Sequence, residues 1–89
     1  MYRAEYQRPR EKLRLRGAAA LTDAELLQIL IGSGTRTNSC ATIARKVAQL
    51  LHSPENFPES LKSVGGVGEV KAGQIVAAIE LGRRLHHGE

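Results

Sequence analysis

One cysteine, three aromatic side chains and one aspartate among 89 residues leave little room for most kinds of site chemistry. Cys40 alone can form neither an internal disulfide nor a cysteine-based zinc or iron–sulfur site, a usage that fits a reducing, cytoplasmic compartment. It follows a polar loop at a helix start, where a helix dipole can make a thiol reactive; the plainer reading is a small residue on a packed helix face. With no Trp and only Tyr2, Tyr6 and Phe57, the core must come from Leu, Ile, Val and Ala. No apolar run approaches membrane-spanning length. The N-terminus lacks a signal peptide's hydrophobic stretch, and Glu5 and Glu11 among its arginines do not suit an organellar presequence. Asp23 is accounted for by a helix start, and no acids pair at a plausible separation. His86 and His87, adjacent on a helix, point about 100° apart and would rarely share an ion. No catalytic residue, metal, cofactor or membrane contact is therefore expected.

What is present is one small domain's worth of chain, 42% hydrophobic. A domain of this size buries about 60% of its unfolded surface, so its stability margin is thin. The net charge of +4 is unevenly placed. Residues 1–16 hold Arg3, Arg8, Arg10, Lys12, Arg14 and Arg16 against Glu5 and Glu11, an excess of four, while the other 73 residues hold seven charges of each sign. The chain thus divides into a basic arm, 1–16, and a neutral helical domain, 17–89. A basic arm grips phosphates or an acidic partner; it also serves as a solvated solubility tail, and charge alone does not choose.

Within the arm, Pro9 can open a short helix through Arg16, broken by Gly17. Thr22-Asp23-Ala24-Glu25 reads as a capping box, with both acids suited to the positive end of the helix dipole. The run Leu26, Leu27, Ile29, Leu30, Ile31 is apolar nearly all round, which predicts the central helix, ended by Gly32. After a polar loop, Ser39 or Asn38 can cap a second helix to Leu51, with Ile43, Val47, Leu50 and Leu51 on one face. A turn over Ser53–Asn56 precedes a short helix from Pro58 to Val64. The last helix, Glu69–Leu85, has Ala72, Ile75, Val76, Ile79 and Gly82 as its predicted core face. Nothing alternates with the period of a strand. The expectation is an all-α compact bundle of four to five short helices.

Gly65-Gly66-Val67-Gly68 between two of those helices is the most specific pattern. A helix-hairpin-helix ends one helix, reverses and starts another within about three residues, which demands positive φ or close backbone approach. Val67 would pin the hairpin to the core, and the following helix start would offer backbone N–H groups to a phosphate. Leu61-x-x-Val64 before it and Lys71-Ala72-x-x-Ile75 after it complete the pattern. Leu27-x-x-Leu30-Ile31-Gly32-Ser33-Gly34 aligns with Leu61-x-x-Val64-Gly65-Gly66-Val67-Gly68, so the first half reads as a degenerate copy with a loop two residues longer. Paired hairpins can meet a duplex by shape and phosphate rather than by base. The candidate contacts are Gly32, Ser33, Gly34, Thr35, Arg36, Thr37 and Asn38 in the first loop. Gly66, Val67, Gly68 and Lys71 follow in the second, and Arg8, Arg10 and Lys12 in the arm. Glu69, directly after the last glycine, would repel an anion, which favours the first loop as the polar surface. Both hairpins can also be simple inter-helix turns.

Arg8-Pro9-Arg10-Glu11-Lys12-Leu13, Leu21-Thr22-Asp23-Ala24-Glu25-Leu26-Leu27, and the hairpin followed by Ile79-Glu80-Leu81-Gly82-Arg83-Arg84 together resemble the N-terminal domain of the bacterial RadC family. The resemblance covers Arg8 to Arg84. It implies a longer protein whose C-terminal domain is similar to metal-dependent JAB/MPN hydrolases, with a His-x-His and a downstream Asp that this chain does not carry. The family's DNA-repair label implies DNA, duplex or branched, as a partner. The expected function is a non-catalytic, sequence-independent DNA-binding module. The competing one is a protein-interaction or self-association module that positions the C-terminal domain, suggested by the neutral charge of 17–89 and by Glu69. A base-excision glycosylase would need a second lobe and a catalytic aspartate in a pocket. The oligomeric state and preferred DNA structure are not set by these residues.

Overall fold

Local chemistry sets where the helices begin and end. The computed structural model describes residues 8–51 and 59–87. They run as α1 (Pro9–Arg16), a 3-10 turn (Ala18–Ala20), α2 (Asp23–Ile31), α3 (Cys40–Leu50), α4 (Glu59–Lys62) and α5 (Glu69–His87), with no strand among the described residues. The fold is an all-α bundle. Pro9 opens α1, and Gly17, at φ 85°, closes it through its N–H on the Leu13 carbonyl at 2.9 Å. The capping box of α2 forms reciprocally: the Glu25 N–H donates to Thr22 Oγ1 at 3.2 Å, and the Thr22 N–H donates to Glu25 Oε1 at 2.8 Å. Ser39, rather than Asn38, caps α3, its Oγ accepting the Thr42 N–H at 3.1 Å.

The core joins Leu27 and Ile31 of α2, Ile43, Ala44 and Val47 of α3, and Leu61, Val64, Val67, Ala72 and Ile75 from the second half. Burying each large aliphatic side chain contributes about 1.5–3 kcal/mol. Helix α2 meets α1, α3 and α5, the central role its apolar run predicted, although Leu30 remains 40% exposed. On α3, Ile43 and Val47 are fully buried, while Leu50 and the capping Leu51 that follows it are half-buried.

Two boundaries differ from the sequence expectation. The predicted Pro58–Val64 helix is a single turn, Glu59–Lys62, within the described residues. Beyond it the chain tightens: the Ser63 and Val64 N–H groups bond to the Ser60 and Leu61 carbonyls, three residues back. Pro58, the Ser53–Asn56 turn and residues 1–7 of the arm lie outside the described residues. The predicted core face of α5 is corrected at its far end. Ala72 and Ile75 are buried and Val76 is half-buried, but Ile79 is 40% exposed and Gly82 is exposed. The cause is length: 19 residues of helix reach about 28 Å, past the end of the shorter helices it packs on. No described helix is long and apolar enough to cross a membrane.

Candidate nucleic-acid interface

The first glycine turn, 32–39, closes on itself. Gly32 leaves α2 at φ 86° with its N–H on the Gln28 carbonyl at 2.9 Å. The Thr35 N–H then donates to the Asn38 carbonyl at 2.8 Å, and the Asn38 N–H donates back to Thr35 Oγ1 at 3.1 Å. Gly34 lies flat against the loop's return: a Cβ there would collide with the Asn38 carbonyl oxygen and stand 2.6 Å from the Cys40 nitrogen. Ser33, Thr35, Arg36 and Thr37 are exposed on the outside of this ring, and Asn38 is half-buried.

The second turn, 63–68, is closed by the core instead. Val67 is 4% exposed and its N–H donates to the Val64 carbonyl at 3.0 Å, so it anchors the turn as expected. That placement removes both its side chain and its amide from the outer surface. Gly66 has φ 98°, and a Cβ on it would run into Ile43 Cδ1. Gly68 is exposed, and a Cβ built on it would meet nothing within 4 Å. Glu69, at the start of α5, is 87% exposed with Lys62 Nζ 3.9 Å away.

The two turns lie side by side. Lys71 Nζ donates to the Ser33 carbonyl at 3.1 Å, joining residues 38 positions apart. A Cβ built on Gly65 would stand 3.3 Å from the Asn38 side-chain nitrogen, and one on Gly66 would stand 3.4 Å from Thr35 Cγ2. On the other flank, Arg8, Pro9, Arg10 and Glu11 of the arm line an open groove of about 500 Å³ with Gln28, Ile29, Gly32 and Cys40. Arg8 and Arg10 thus border the first turn. Lys12 does not: its ammonium pairs with Glu25 at 3.1 Å, which holds α1 to α2. That bridge and the Thr22 cap keep the Glu25 carboxyl below its usual range, the Thr22 backbone N–H having the larger effect.

One cation near the turn is absent from the sequence expectation. Arg45 Nη2 donates to Thr42 Oγ1 at 3.4 Å, and Thr42 in turn accepts from Ser39 Oγ at 3.0 Å, so Arg45 folds back toward the start of α3. The spacing Ser39-x-x-Thr42-x-x-Arg45 is the signal that could have found it. Cys40 is half-buried, and its thiol donates to the Gln28 carbonyl at 3.5 Å, tying α3 to α2.

Residues 2–73 match the family model described as UPF0758 N-terminal. A UPF0758 protein of Flavobacterium johnsoniae is 48% identical over 85 residues, covering 91% of this chain and 37% of that protein. One from Moorella thermoacetica is 45% identical over 85 residues, covering 88% of this chain and 36% of the other. Another from Methanospirillum hungatei is 42% identical over 79 residues, covering 86% and 35%. The chain therefore spans less than two-fifths of the length of these curated relatives. No solved structure matches it significantly. The chain belongs to the UPF0758 family, the RadC-like family, and corresponds to its N-terminal part.

Proposed function

We propose that this chain is a non-catalytic, sequence-independent DNA-binding module serving a DNA-repair protein. In this reading both turns are helix-hairpin-helix elements, the first a degenerate copy of the second. The observation that carries it is the continuity of arm, first turn and second turn. Arg8 and Arg10 border the groove that ends at Gly32, and Lys71 ties the far side of the same turn to α5. Arg36 and the hydroxyl side chains of the first turn are exposed along this stretch, and Arg45 folds back toward the start of α3 that follows it. A phosphate backbone laid along this surface meets cations and short polar donors without any group placed to read base edges. Lys71 acts here by fixing Ser33, and Lys12 by fixing the arm.

The test is a fluorescence-anisotropy titration with duplex, single-stranded and branched DNA across a salt series. With Arg8, Arg10 and Arg36 each neutralising one phosphate, log K should fall against log salt with a slope of about −3 on duplex. Arg36→Ala and the double variant Arg8→Ala/Arg10→Ala should each weaken binding and flatten that slope. Absence of binding to every DNA at low salt would overturn the reading.

A further inference from the structure

Helix α5 carries two apolar faces, and the bundle uses one of them. Ala72, Ile75 and Val76 point inward. At about 100° per residue, Val70, Ala77, Leu81 and Leu85 share a stripe centred on the opposite side of the helix. Val70 is 74% exposed, Leu81 58% and Leu85 69%. Single exposed aliphatic residues are ordinary on any surface. Leu81 and Leu85, one turn apart and next to Ala77, form a small apolar patch toward the end of the helix, which the exposed Gln74 separates from Val70.

The stripe also has the local shape of a helix-packing surface. Ala77, Glu80, Leu81 and Arg84 line a shallow depression. Their spacing of i, i+3, i+4 and i+7 is that of the four residues that receive a side-chain knob from a facing helix. Glu80 is held by Arg83 at 2.6 Å and by Arg84 at 2.8 Å, so the two charged residues that line the depression beside Ala77 and Leu81 are paired with each other.

Size decides what covers it. A stable pair of separate molecules uses about 20–30 residues a side, far more than this stripe offers a second copy. A segment of the same chain needs much less, because the tether supplies a high effective concentration. The relatives extend well past the matched part, which is only 37% of the Flavobacterium johnsoniae protein and corresponds to the family's N-terminal region. In a chain built as theirs are, the continuation leaves from the end of α5, beside Leu85.

We propose that the outer face of α5 is the docking surface for an amphipathic helix from the remainder of the longer family chain, orienting the N-terminal part against the C-terminal part. This surface is separate from the glycine turns, so it stands or falls independently of DNA binding.

The test compares amide hydrogen exchange along 77–87 in the 89-residue chain and in the same chain continued, after Glu89, by the remainder of the Flavobacterium johnsoniae relative. Exchange should slow about tenfold or more on extension, and Leu81→Glu/Leu85→Glu should abolish the slowing. The same double variant should lower the thermal midpoint of the short chain only slightly, because both side chains are largely exposed and the cost is that of carboxylates near a helix C-terminus. Equal exchange with and without the extension would overturn the proposal, and so would slowing that survives the double variant. Sedimentation of the short chain supplies a third outcome. Concentration-dependent association lost in Leu81→Glu/Leu85→Glu would assign the face to a second copy and overturn the tethered partner.

Discussion

The two glycine turns align in sequence, yet they agree structurally at only one of their two paired glycines. Gly32 and Gly66 both leave a helical turn with positive φ, at 86° and 98°. Gly34 and Gly68 do not correspond: Gly34 is pressed against the backbone of Asn38–Cys40, whereas Gly68 touches nothing that a side chain would disturb. The first turn is held by its own polar groups, through Thr35 and Asn38. The second is held by burial of Val64 and Val67 and by Ile43 beneath Gly66. A self-closed loop can present its outer side chains to a ligand without disturbing the core. A core-closed loop is the better anchor and the poorer contact surface.

The sharpest way to break that comparison is an alanine at the positive-φ glycine of each turn. Gly66→Ala should cost about 3 kcal/mol, combining backbone strain with intrusion on the fully buried Ile43. Gly32→Ala meets open space, so it should cost only the strain, about 1 kcal/mol. Urea denaturation followed by far-ultraviolet circular dichroism measures both. Equal losses would mean that Ile43 yields freely and that the second turn is no more core-dependent than the first.

The second pair of glycines gives a smaller contrast. Gly34→Ala should lose about 2 kcal/mol, because the neighbouring atoms are backbone and cannot rotate aside. Gly68→Ala should stay within about 0.5 kcal/mol, the modest cost of alanine at a helix start. Amide chemical shifts should move through residues 35–40 in the first variant and remain local in the second. If both variants behave alike, Gly34 has room that the closed Thr35–Asn38 ring denies it.

Much of this was legible in the sequence because its signals are local. The Thr22–Glu25 box, the glycine stops and the spacing of Ile43 and Val47 each depend on residues within one or two turns of each other. The proximity of the two turns was legible only as a repeat, since no pattern announces that Lys71 reaches the Ser33 carbonyl. Ala44 was missed because alanine carries little hydrophobic signal, although it is fully buried on α3. Ile79 and Gly82 were assigned to the core because periodicity records which face is apolar, not how far the neighbouring helices extend. Val67 read as both an anchor and a contact, and its burial bears out the anchor; Lys12 read as a free cation and proved to be half of an ion pair, because nothing in the spacing announces that α1 lies against Glu25.

The same contrast between chemically fixed and packing-fixed segments extends to the helix starts, where the expected effect is smallest. Glu25 is locked at α2 by the Thr22 N–H and by Lys12, while Glu69 at α5 is 87% exposed. Glu25→Gln retains an oxygen for the cap but loses the charge that holds Lys12, and α1 buries no side chain of its own. The variant should lose under about 1 kcal/mol at neutral pH, with Glu69→Gln nearly silent. The carboxyl of Glu25 binds its proton less readily when folded than its ordinary value of 4.5. Its stabilisation is therefore complete above that value and drains away as pH falls through the lower folded one. Urea midpoints of the unsubstituted chain and Glu25→Gln should differ at pH 7 and converge as the pH falls below the lowered folded value. A gap that stayed constant over that range would show that the ionised carboxylate contributes nothing to seating α1 on α2.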